Sequence, residues 1–369
     1  MVDLSTQYLK IKKEVDQEVE EVLKSGHYIN GRAVREFADK LAKYTKTPYV
    51  VPCANGTDAL QIALMALDLK EGNEVILPAF TYAAAIEAVI LLKLTPVLVD
   101  VDPKTCNMDP EKIQGAISVQ TRVILPVHLF GQSCDMEVIL EIARKYDLFV
   151  IEDNAQSLGT EYLFSDGSRK KTGTLGAIGT YSFFPTKNLG CFGDGGAITT
   201  NNEALYTRMK MIALHGQSEK YVHDLVGCNS RLDTLQAAIL NVKLDFLDQY
   251  IQARAEAAAF YLENLRETEF IELPETHLQS THTYNQFTLR VKDEKRDDLK
   301  AYFQKNNIPT VIYYPKPIHF QKAYKYLVKK GSSLLVSEKL CKDVLSLPMH
   351  PELEEDQLQY ICEKLREFN

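Results

Sequence analysis

A lysine stands between an aromatic segment and a glycine-rich turn. Lys187 follows the residues Tyr181 to Thr186, and four glycines lie within 190–196. A lysine amine that is partly removed from water has a lowered pKa and can attack a carbonyl group to form a Schiff base. Most lysines are solvated surface residues, so this segment alone does not separate the two interpretations.

An acidic residue ends an apolar, β-branched run. Asp153 follows Leu148 to Glu152 and precedes Asn154-Ala155-Gln156. A carboxylate at the end of a buried strand is placed to hold a protonated ring nitrogen of a bound cofactor. The competing interpretation is a carboxylate that caps the next helix.

The third segment is Cys53-Ala54-Asn55-Gly56-Thr57-Asp58. The pattern predicts a strand that ends near Cys53 and a helix that begins near Thr57. Backbone N–H groups at a helix start bind phosphate, and Gly56 would let the backbone approach it closely. An ordinary N-cap also explains Asn55 and Thr57.

Alternating strands and helices must position these segments. Short β-branched runs predict strands over 48–53, 73–79, 95–102, 122–130, 148–154, 177–184 and 195–201. Helical patterns cover 1–25, 57–69, 82–93, 135–146, 203–214 and 231–265. This alternation predicts an α/β fold with a central, mostly parallel seven-stranded sheet flanked by helices, in which ligands bind at the carboxyl ends of the strands.

The pattern changes after the long helix. A strand over 286–292, a helix over 295–306, a strand over 309–314 and helices over 335–345 and 355–367 predict a small C-terminal α+β domain. We therefore divide the chain into 1–254, an N-terminal segment with a large cofactor-binding domain, and 255–369, the small domain.

Composition excludes several classes of protein. The net charge is −8 and there is no basic stripe, so we expect no nucleic-acid partner. The most apolar stretch, 83–101, contains Glu87, Lys93, Pro96 and Asp100, which disfavours a membrane span. The seven cysteines form no C-x-x-C pair, and no histidine has metal-ligand spacing. We expect a cytoplasmic protein without a metal.

One cofactor explains the three segments together. Pyridoxal 5'-phosphate (PLP) needs a lysine for its aldehyde, an acid for its ring nitrogen and a helix start for its phosphate. With these residues and the motifs around them, the chain resembles the DegT/DnrJ/StrS family of sugar aminotransferases. The resemblance extends over nearly the whole length of the chain. The resemblance rests on SGHYINGRAVREFADKLA, ANGTDALQIAL, PAFTYAA, VHLFGQSCDM, IEDNAQSLG, SFFPTKNLGCFGDGGAI, GCNSRLDTLQAAIL and LSLPMHP.

The resemblance implies the fold-type-I PLP architecture and a role for each matched residue. Lys187 is the catalytic residue that binds PLP as an imine and moves the proton. The implied cofactor-binding residues are Gly56, Thr57, Tyr82, Asp153, Gln156, Ser182, Lys187 and Asn229. The implied substrate-binding residues are Gly26, Tyr28, Thr186, Arg231, Tyr313 and Tyr314. Asn229 would reach the phosphate of a second subunit, which implies a homodimer with a shared active site.

The resemblance also suggests a substrate. The segment 227–236 is similar to enzymes that aminate C3 of a nucleotide-linked keto sugar, with L-glutamate as donor and the pyridoxamine form (PMP) as carrier. Nearby segments resemble the UDP-2-acetamido-2-deoxy-3-oxo-glucuronate aminotransferases of surface polysaccharide synthesis. The Arg231 guanidinium suits a carboxylate on either the sugar or glutamate; the competing interpretation is a structural ion pair. Tyr313 stands where relatives often have histidine. If that histidine holds a sugar carboxylate, its loss weakens the case for a uronate and strengthens the case for an uncharged UDP-3-keto-N-acetylglucosamine or a dTDP-3-keto-6-deoxyhexose.

The sequence leaves other functions open. A 4-keto sugar aminotransferase is one alternative, and a PLP-binding sensory module that is not an enzyme is another. A sugar dehydratase on the same scaffold typically has histidine in place of Lys187. A dinucleotide-dependent oxidoreductase is disfavoured because no G-x-G-x-x-G follows the first strand.

Overall fold

The strand–helix alternation builds one large sheet in the computed structural model, which describes residues 1–327 and 334–368. The helices of this part of the chain are α1 (Leu4–Lys10), α2 (Lys12–Ser25), α3 (Arg32–Thr45), α4 (Gly56–Ala66), α5 (Ala84–Leu91), α6 (Pro110–Ala116), α7 (Met136–Tyr146), α8 (Glu203–Ala213), α9 (Thr234–Asp245), α10 (Leu247–Leu265), α11 (Arg296–Lys305), α12 (Leu335–Asp343) and α13 (Glu355–Glu367). The strands are β1 (Tyr49–Cys53), β2 (Glu74–Pro78), β3 (Thr95–Val99), β4 (Thr121–Ile124), β5 (Phe149–Asp153), β6 (Glu161–Leu163), β7 (Arg169–Lys171), β8 (Ile178–Ser182), β9 (Gly196–Thr200), β10 (Gln217–Glu219), β11 (Val222–His223), β12 (Ile271–Glu272), β13 (Phe287–Val291) and β14 (Val344–Leu347).

The central sheet has seven strands in the order β1-β9-β8-β5-β4-β2-β3. The pairs from β8 to β3 are parallel, whereas β9 runs antiparallel to both β1 and β8. The predicted seven-stranded, mostly parallel sheet is therefore confirmed. Because only β9 is reversed, β4, β5 and β8 end at the same edge of the sheet.

Both faces of the sheet are buried, as parallel strands require. On one face Val75, Val123 and Ile151 pack with α4, α5 and α8. On the other face Ile76 and Ile124 pack with α6 and α7. Successive residues of a strand point to opposite faces, so these short apolar runs serve two cores at once.

A second, smaller sheet lies near the C-terminus. Strands β12, β13 and β14 pair antiparallel. Their apolar side chains form a separate core with α10, α11 and α13. Helix α10 crosses the boundary between 254 and 255, and residues 328–333 and 369 of the small domain lie outside the described residues. The two-domain division stays a proposal.

Several predicted elements differ from the observed ones, either in their ends or in their continuity, and one predicted strand is absent from the described residues. The 309–314 segment is not a strand; within it only Val311 bridges Ser346. The helix predicted over 335–345 ends at Asp343, and Val344–Leu347 is a strand that pairs with β13. The 231–265 helix is interrupted at Phe246, and the 1–25 helix is interrupted at Ile11.

Candidate active site

The start of α4 forms the phosphate-binding candidate. Asn55 caps the helix, and its Oδ1 accepts the Asp58 N–H at 2.8 Å. A Cβ added to Gly56 would lie 2.7 Å from Cβ of Ser182, at the end of β8. The glycine is therefore required by a close approach of the two segments. The structure brings Gly56, Thr57 and Ser182 together beside the free N–H groups of the first helical turn.

Asp153 lies at the carboxyl end of β5. Its side chain is buried, and burial raises its pKa, whereas the Ala155 N–H at 3.1 Å and the positive charge of Lys187 lower it. Loss of water lowers the pKa of Lys187 to about 8, and the Asp153 carboxylate opposes that shift. The two groups thus lie close enough for their charges to interact.

A cluster of tyrosines lies beside this pair. Gln156 donates from Nε2 to the Tyr314 hydroxyl at 3.2 Å, and its Oε1 accepts the Phe130 N–H at 2.7 Å. The Tyr82 ring centroid is 6.2 Å from that of Tyr314, and Tyr82 is 63% exposed. The exposed ring of Tyr82 is free to stack on a planar ligand. Tyr314 therefore lies with the predicted cofactor residues, and its neighbour Tyr313 is half-buried.

The turn that carries Lys187 is tied to the segment just before β13. Asn285 donates from Nδ2 to the Thr186 carbonyl at 3.4 Å and to Asn188 Oδ1 at 3.2 Å. Sequence reasoning missed Asn188 and Asn285, since an isolated asparagine has no pattern that separates a buried role from a role in a turn. Both are buried, and their hydrogen bond joins residues that are 97 positions apart, which the sequence alone does not show.

Four other predicted residues lie on two segments that are adjacent to each other. The Tyr28 carbonyl accepts the Thr234 N–H at 3.0 Å, and Ile29 bridges Asp233, so segments 26–31 and 229–234 meet. These segments carry Gly26, Tyr28, Asn229 and Arg231. The Ser230 hydroxyl accepts the Ala54 N–H at 3.1 Å, so segment 229–234 also contacts the strand end that precedes Gly56.

Among the described residues no group of three or more His, Cys, Asp or Glu side chains is arranged to hold a metal. In the same part of the chain, no helix combines the length and apolar character needed to cross a bilayer. All seven cysteines are unpaired, and six of them are buried.

Comparison with known proteins decides the family. The model of the DegT/DnrJ/EryC1/StrS aminotransferase family matches residues 9–366. The chain belongs to this family. It is a PLP-dependent aminotransferase, and the resemblance found in its motifs is confirmed.

Curated relatives of the family match the chain over nearly its full length. A UDP-2-acetamido-2-deoxy-3-oxo-D-glucuronate aminotransferase of Pseudomonas aeruginosa is 43% identical and covers 99% of this chain and 98% of its own. A dTDP-3-amino-3,6-dideoxy-alpha-D-galactopyranose transaminase of Aneurinibacillus thermoaerophilus is 42% identical, covering 100% and 98%. A pleiotropic regulatory protein of Geobacillus stearothermophilus is also 42% identical, covering 100% and 98%. Relatives with different names are thus equally similar.

Solved structures of the family have the same fold. DesV of S. venezuelae, in complex with a ketimine intermediate, has a TM-score of 0.95 at 38% identity and covers 100% of this chain and 97% of its own. NtdA of Bacillus subtilis, with bound cofactor PMP, has a TM-score of 0.88 at 34% identity, covering 96% and 81%. The site of this chain fits the cofactor, because the α4 start, the buried Asp153 and Lys187 supply the three contacts that PLP needs.

Proposed function

We propose that this aminotransferase moves an amino group from L-glutamate to C3 of a nucleotide-linked keto sugar, a UDP-2-acetamido-3-keto hexose or hexuronate. The observation that carries the proposal is the placement of three groups: Lys187 and the buried Asp153 lie close enough for their charges to interact, and Asp153 pairs with β8, whose last residue Ser182 meets Gly56 at the start of α4. The identity of 43% to an aminotransferase named for a UDP-linked 3-oxo sugar supports the acceptor.

Each side chain has a physical task in this proposal. The N–H groups of Gly56 and Thr57 and the Ser182 hydroxyl would bind the phosphate, with the helix dipole favouring its negative charge. The Asp153 carboxylate would hold the ring N–H, and Tyr82 would supply an aromatic surface for the ring. The bound cofactor supplies an electron sink for the carbanion that forms when a proton leaves the substrate.

Lys187 moves that proton. Its pKa of about 8 lies near neutral pH, so its amine accepts and returns a proton more readily than an ordinary lysine. The small-domain amide of Asn285, bonded to the Thr186 carbonyl, fixes the turn that carries it. Proton transfer to a substrate carbon depends on such fixed geometry.

Two neutral tyrosines, Tyr313 and Tyr314, stand at the proposed site. The Tyr314 hydroxyl contacts Gln156, and burial raises the pKa of both Tyr313 and Tyr314, which keeps them neutral at working pH. Neutral hydroxyls can hydrogen-bond a sugar but do not offset the charge of a carboxylate. This supports an uncharged hexose over a uronate, unless Arg231 of a second subunit supplies the charge.

A homodimer with a shared active site is part of the proposal, because the family resemblance implies that Asn229 reaches the phosphate from a second subunit. Segments 26–31 and 229–234, which carry Gly26, Tyr28, Asn229 and Arg231, are adjacent and would meet the second copy together. We further propose that the dimer works in the cytoplasm, where thiols stay reduced; the seven unpaired cysteines support this location. Its product would be an amino-sugar precursor for surface polysaccharide, lipopolysaccharide or lipid A.

A half-reaction tests the substrate. The enzyme is converted to its PMP form with L-glutamate, and UDP- and dTDP-linked 3-keto and 4-keto sugars, generated in situ, are added one at a time. We expect the absorption of the PLP form to return with a UDP-linked 3-keto N-acetyl sugar. Return only with a 4-keto sugar would contradict the C3 assignment, and a comparison of hexose with hexuronate measures the effect of Tyr313.

A dTDP-3-keto-6-deoxyhexose is the second candidate acceptor, since a relative named for a dTDP-linked 3-amino sugar is 42% identical over the whole chain. Return of absorption with the dTDP-linked sugar alone would select it. A non-catalytic PLP-binding sensory module is the remaining alternative, supported by the relative named as a regulatory protein. Failure of L-glutamate and every other amino donor to convert the cofactor would favour that module.

A further inference from the structure

A second carboxylate lies directly before Asp153, on the opposite face of β5. Glu152 is fully buried and has no lysine or arginine partner among the described residues. Its two oxygens accept four hydrogen bonds of 2.7 to 2.9 Å, from the backbone N–H groups of Gly173, Leu175 and Gly176 and from Nε2 of His128. Every partner is a donor, so the site is built for an acceptor-only, ionised side chain.

The hydrogen bonds of His128 fix its tautomer. Nδ1 accepts the Cys134 N–H at 3.1 Å and therefore carries no hydrogen. The ring hydrogen is on Nε2, where it is donated to Glu152 at 2.9 Å. Because His128 is fully buried, neither contact can be exchanged for water.

His128 also bonds to Asp153 through its main chain. Its N–H donates to the Asp153 carbonyl at 3.0 Å, and the Asp153 N–H donates to the Pro126 carbonyl at 2.9 Å. The same residue therefore holds the backbone of Asp153 with its N–H and the neighbouring Glu152 with its ring. Thr180 on β8 completes the clamp by donating its hydroxyl to the Glu152 carbonyl at 3.1 Å.

We propose that His128 and Glu152 are positioning residues that fix the Asp153 carboxylate against the ring nitrogen of the cofactor. The inference rests on the proposed role of Asp153. A charge-assisted hydrogen bond is strong only at short distance and good angle, so a small rotation at the end of β5 would weaken it. The rigid donors around Glu152 oppose that rotation from the face away from the cofactor.

The test isolates the contact with the ring nitrogen. Dissociation constants are measured by titrating the apoprotein with PMP and with the analogue in which a C–H group replaces the ring nitrogen. The ratio of the two constants reports only the contact to that nitrogen, because general damage to the site weakens both ligands alike. We expect the wild type to prefer PMP by about tenfold to a hundredfold, the range of a charge-assisted hydrogen bond.

Three variants are compared with the wild type. His128→Leu removes both ring contacts, and we expect it to lose most of the preference for PMP. His128→Gln keeps an Nε2–H donor for Glu152, so we expect an intermediate preference. His319→Leu is the matched control, since His319 is also buried and its Nε2 lies 3.1 Å from Glu338, away from Asp153. We expect this control to keep the full preference.

The outcomes separate the inference from the proposed function. A wild-type ratio near one would overturn the role of Asp153 itself. A large wild-type ratio that His128→Leu and His128→Gln both keep would overturn the positioning role alone. If His128→Leu does not fold, judged by the unfolding transition of the apoprotein, the ratio for His128→Gln decides: a reduced ratio supports the inference and an unchanged one contradicts it.

Discussion

At the scale of single residues, Lys187 is the group whose removal has the largest expected effect. Lys187→Ala leaves the phosphate and ring-nitrogen contacts in place, so the variant should still bind PMP. Turnover should fall by at least about a thousandfold, because the proton carrier is missing. Single-turnover absorption measurements with PMP-loaded protein and keto sugar check this. Lys171→Ala is the control, since Lys171 is also partly desolvated but pairs with Glu161.

The ionisation of Lys187 gives a second prediction at this scale. Only the neutral amine attacks an aldehyde, so the rate of covalent PLP capture by the apoprotein should rise with pH and level off above about 8, the lowered pKa of Lys187. Stopped-flow absorption between about pH 6 and 10 measures this rate across the lowered pKa and towards the ordinary lysine value. A rate that keeps rising towards the ordinary lysine value would mean that the amine is solvated.

Asp153 supplies the control for this profile. Its carboxylate raises the pKa of Lys187, so Asp153→Asn removes an attraction for the ammonium form. The midpoint of the capture profile should then move to lower pH. A midpoint that stays in place would show that the two side chains do not interact.

At the scale of elements, the junction between α4 and β8 is the most constrained. A Cβ at Gly56 would meet the Ser182 Cβ at 2.7 Å, so Gly56→Ala should push the start of α4 away from β8. We expect PMP affinity to fall by at least about tenfold, the loss of one or more charge-assisted phosphate contacts. Titration of the apoprotein with PMP measures it.

Gly115 is the matched control for this variant. It lies in α6, and an added Cβ there meets nothing within 4 Å. Gly115→Ala should leave PMP affinity unchanged and stabilise the fold by about 0.5 to 1 kcal/mol, because alanine restricts the unfolded chain. Equal PMP affinity in the two variants would refute the close-approach argument at Gly56.

The same scale shows what periodicity can predict. The seven strands of the large sheet were predicted because they are short runs with β-branched residues, and most of their residues are buried. Strand β14 was missed because Val344–Leu347 directly continues the helical pattern of α12. The pairing of β14 with β13, a contact between distant segments, decides its conformation, and a local pattern does not contain that contact.

At the scale of the whole molecule, the site is assembled from segments far apart in sequence. Motif order indicated Lys187, Asp153 and Gly56, because their chemistry is specific and their strands end at one edge. Asn285 and the clamp of His128 on Glu152 were not indicated, because their importance comes from hydrogen bonds that only the folded chain forms. The prediction that Asn229 of one subunit reaches the cofactor phosphate of the other came from the resemblance to the family and not from periodicity.

A mixing experiment tests whether Asn229 acts in a second subunit. Lys187→Ala lacks the proton carrier, and Asn229→Asp places a negative charge against the phosphate, so each homodimer should be inactive. In a mixed dimer one site combines Lys187 of one subunit with Asn229 of the other and is fully native. Random reassociation of equal amounts should therefore restore about a quarter of the wild-type activity, since half of the dimers are mixed and each has one native site.

The double variant Lys187→Ala/Asn229→Asp is the control. Mixed with wild type, it provides no native site in a mixed dimer, because each site then lacks either Lys187 or Asn229. Activity should fall below the simple average of the two proteins. If Asn229 instead served the site of its own chain, mixing the two single variants would restore nothing, since every site would lack one of the two residues. The recovered activity thus distinguishes a shared site from two independent ones.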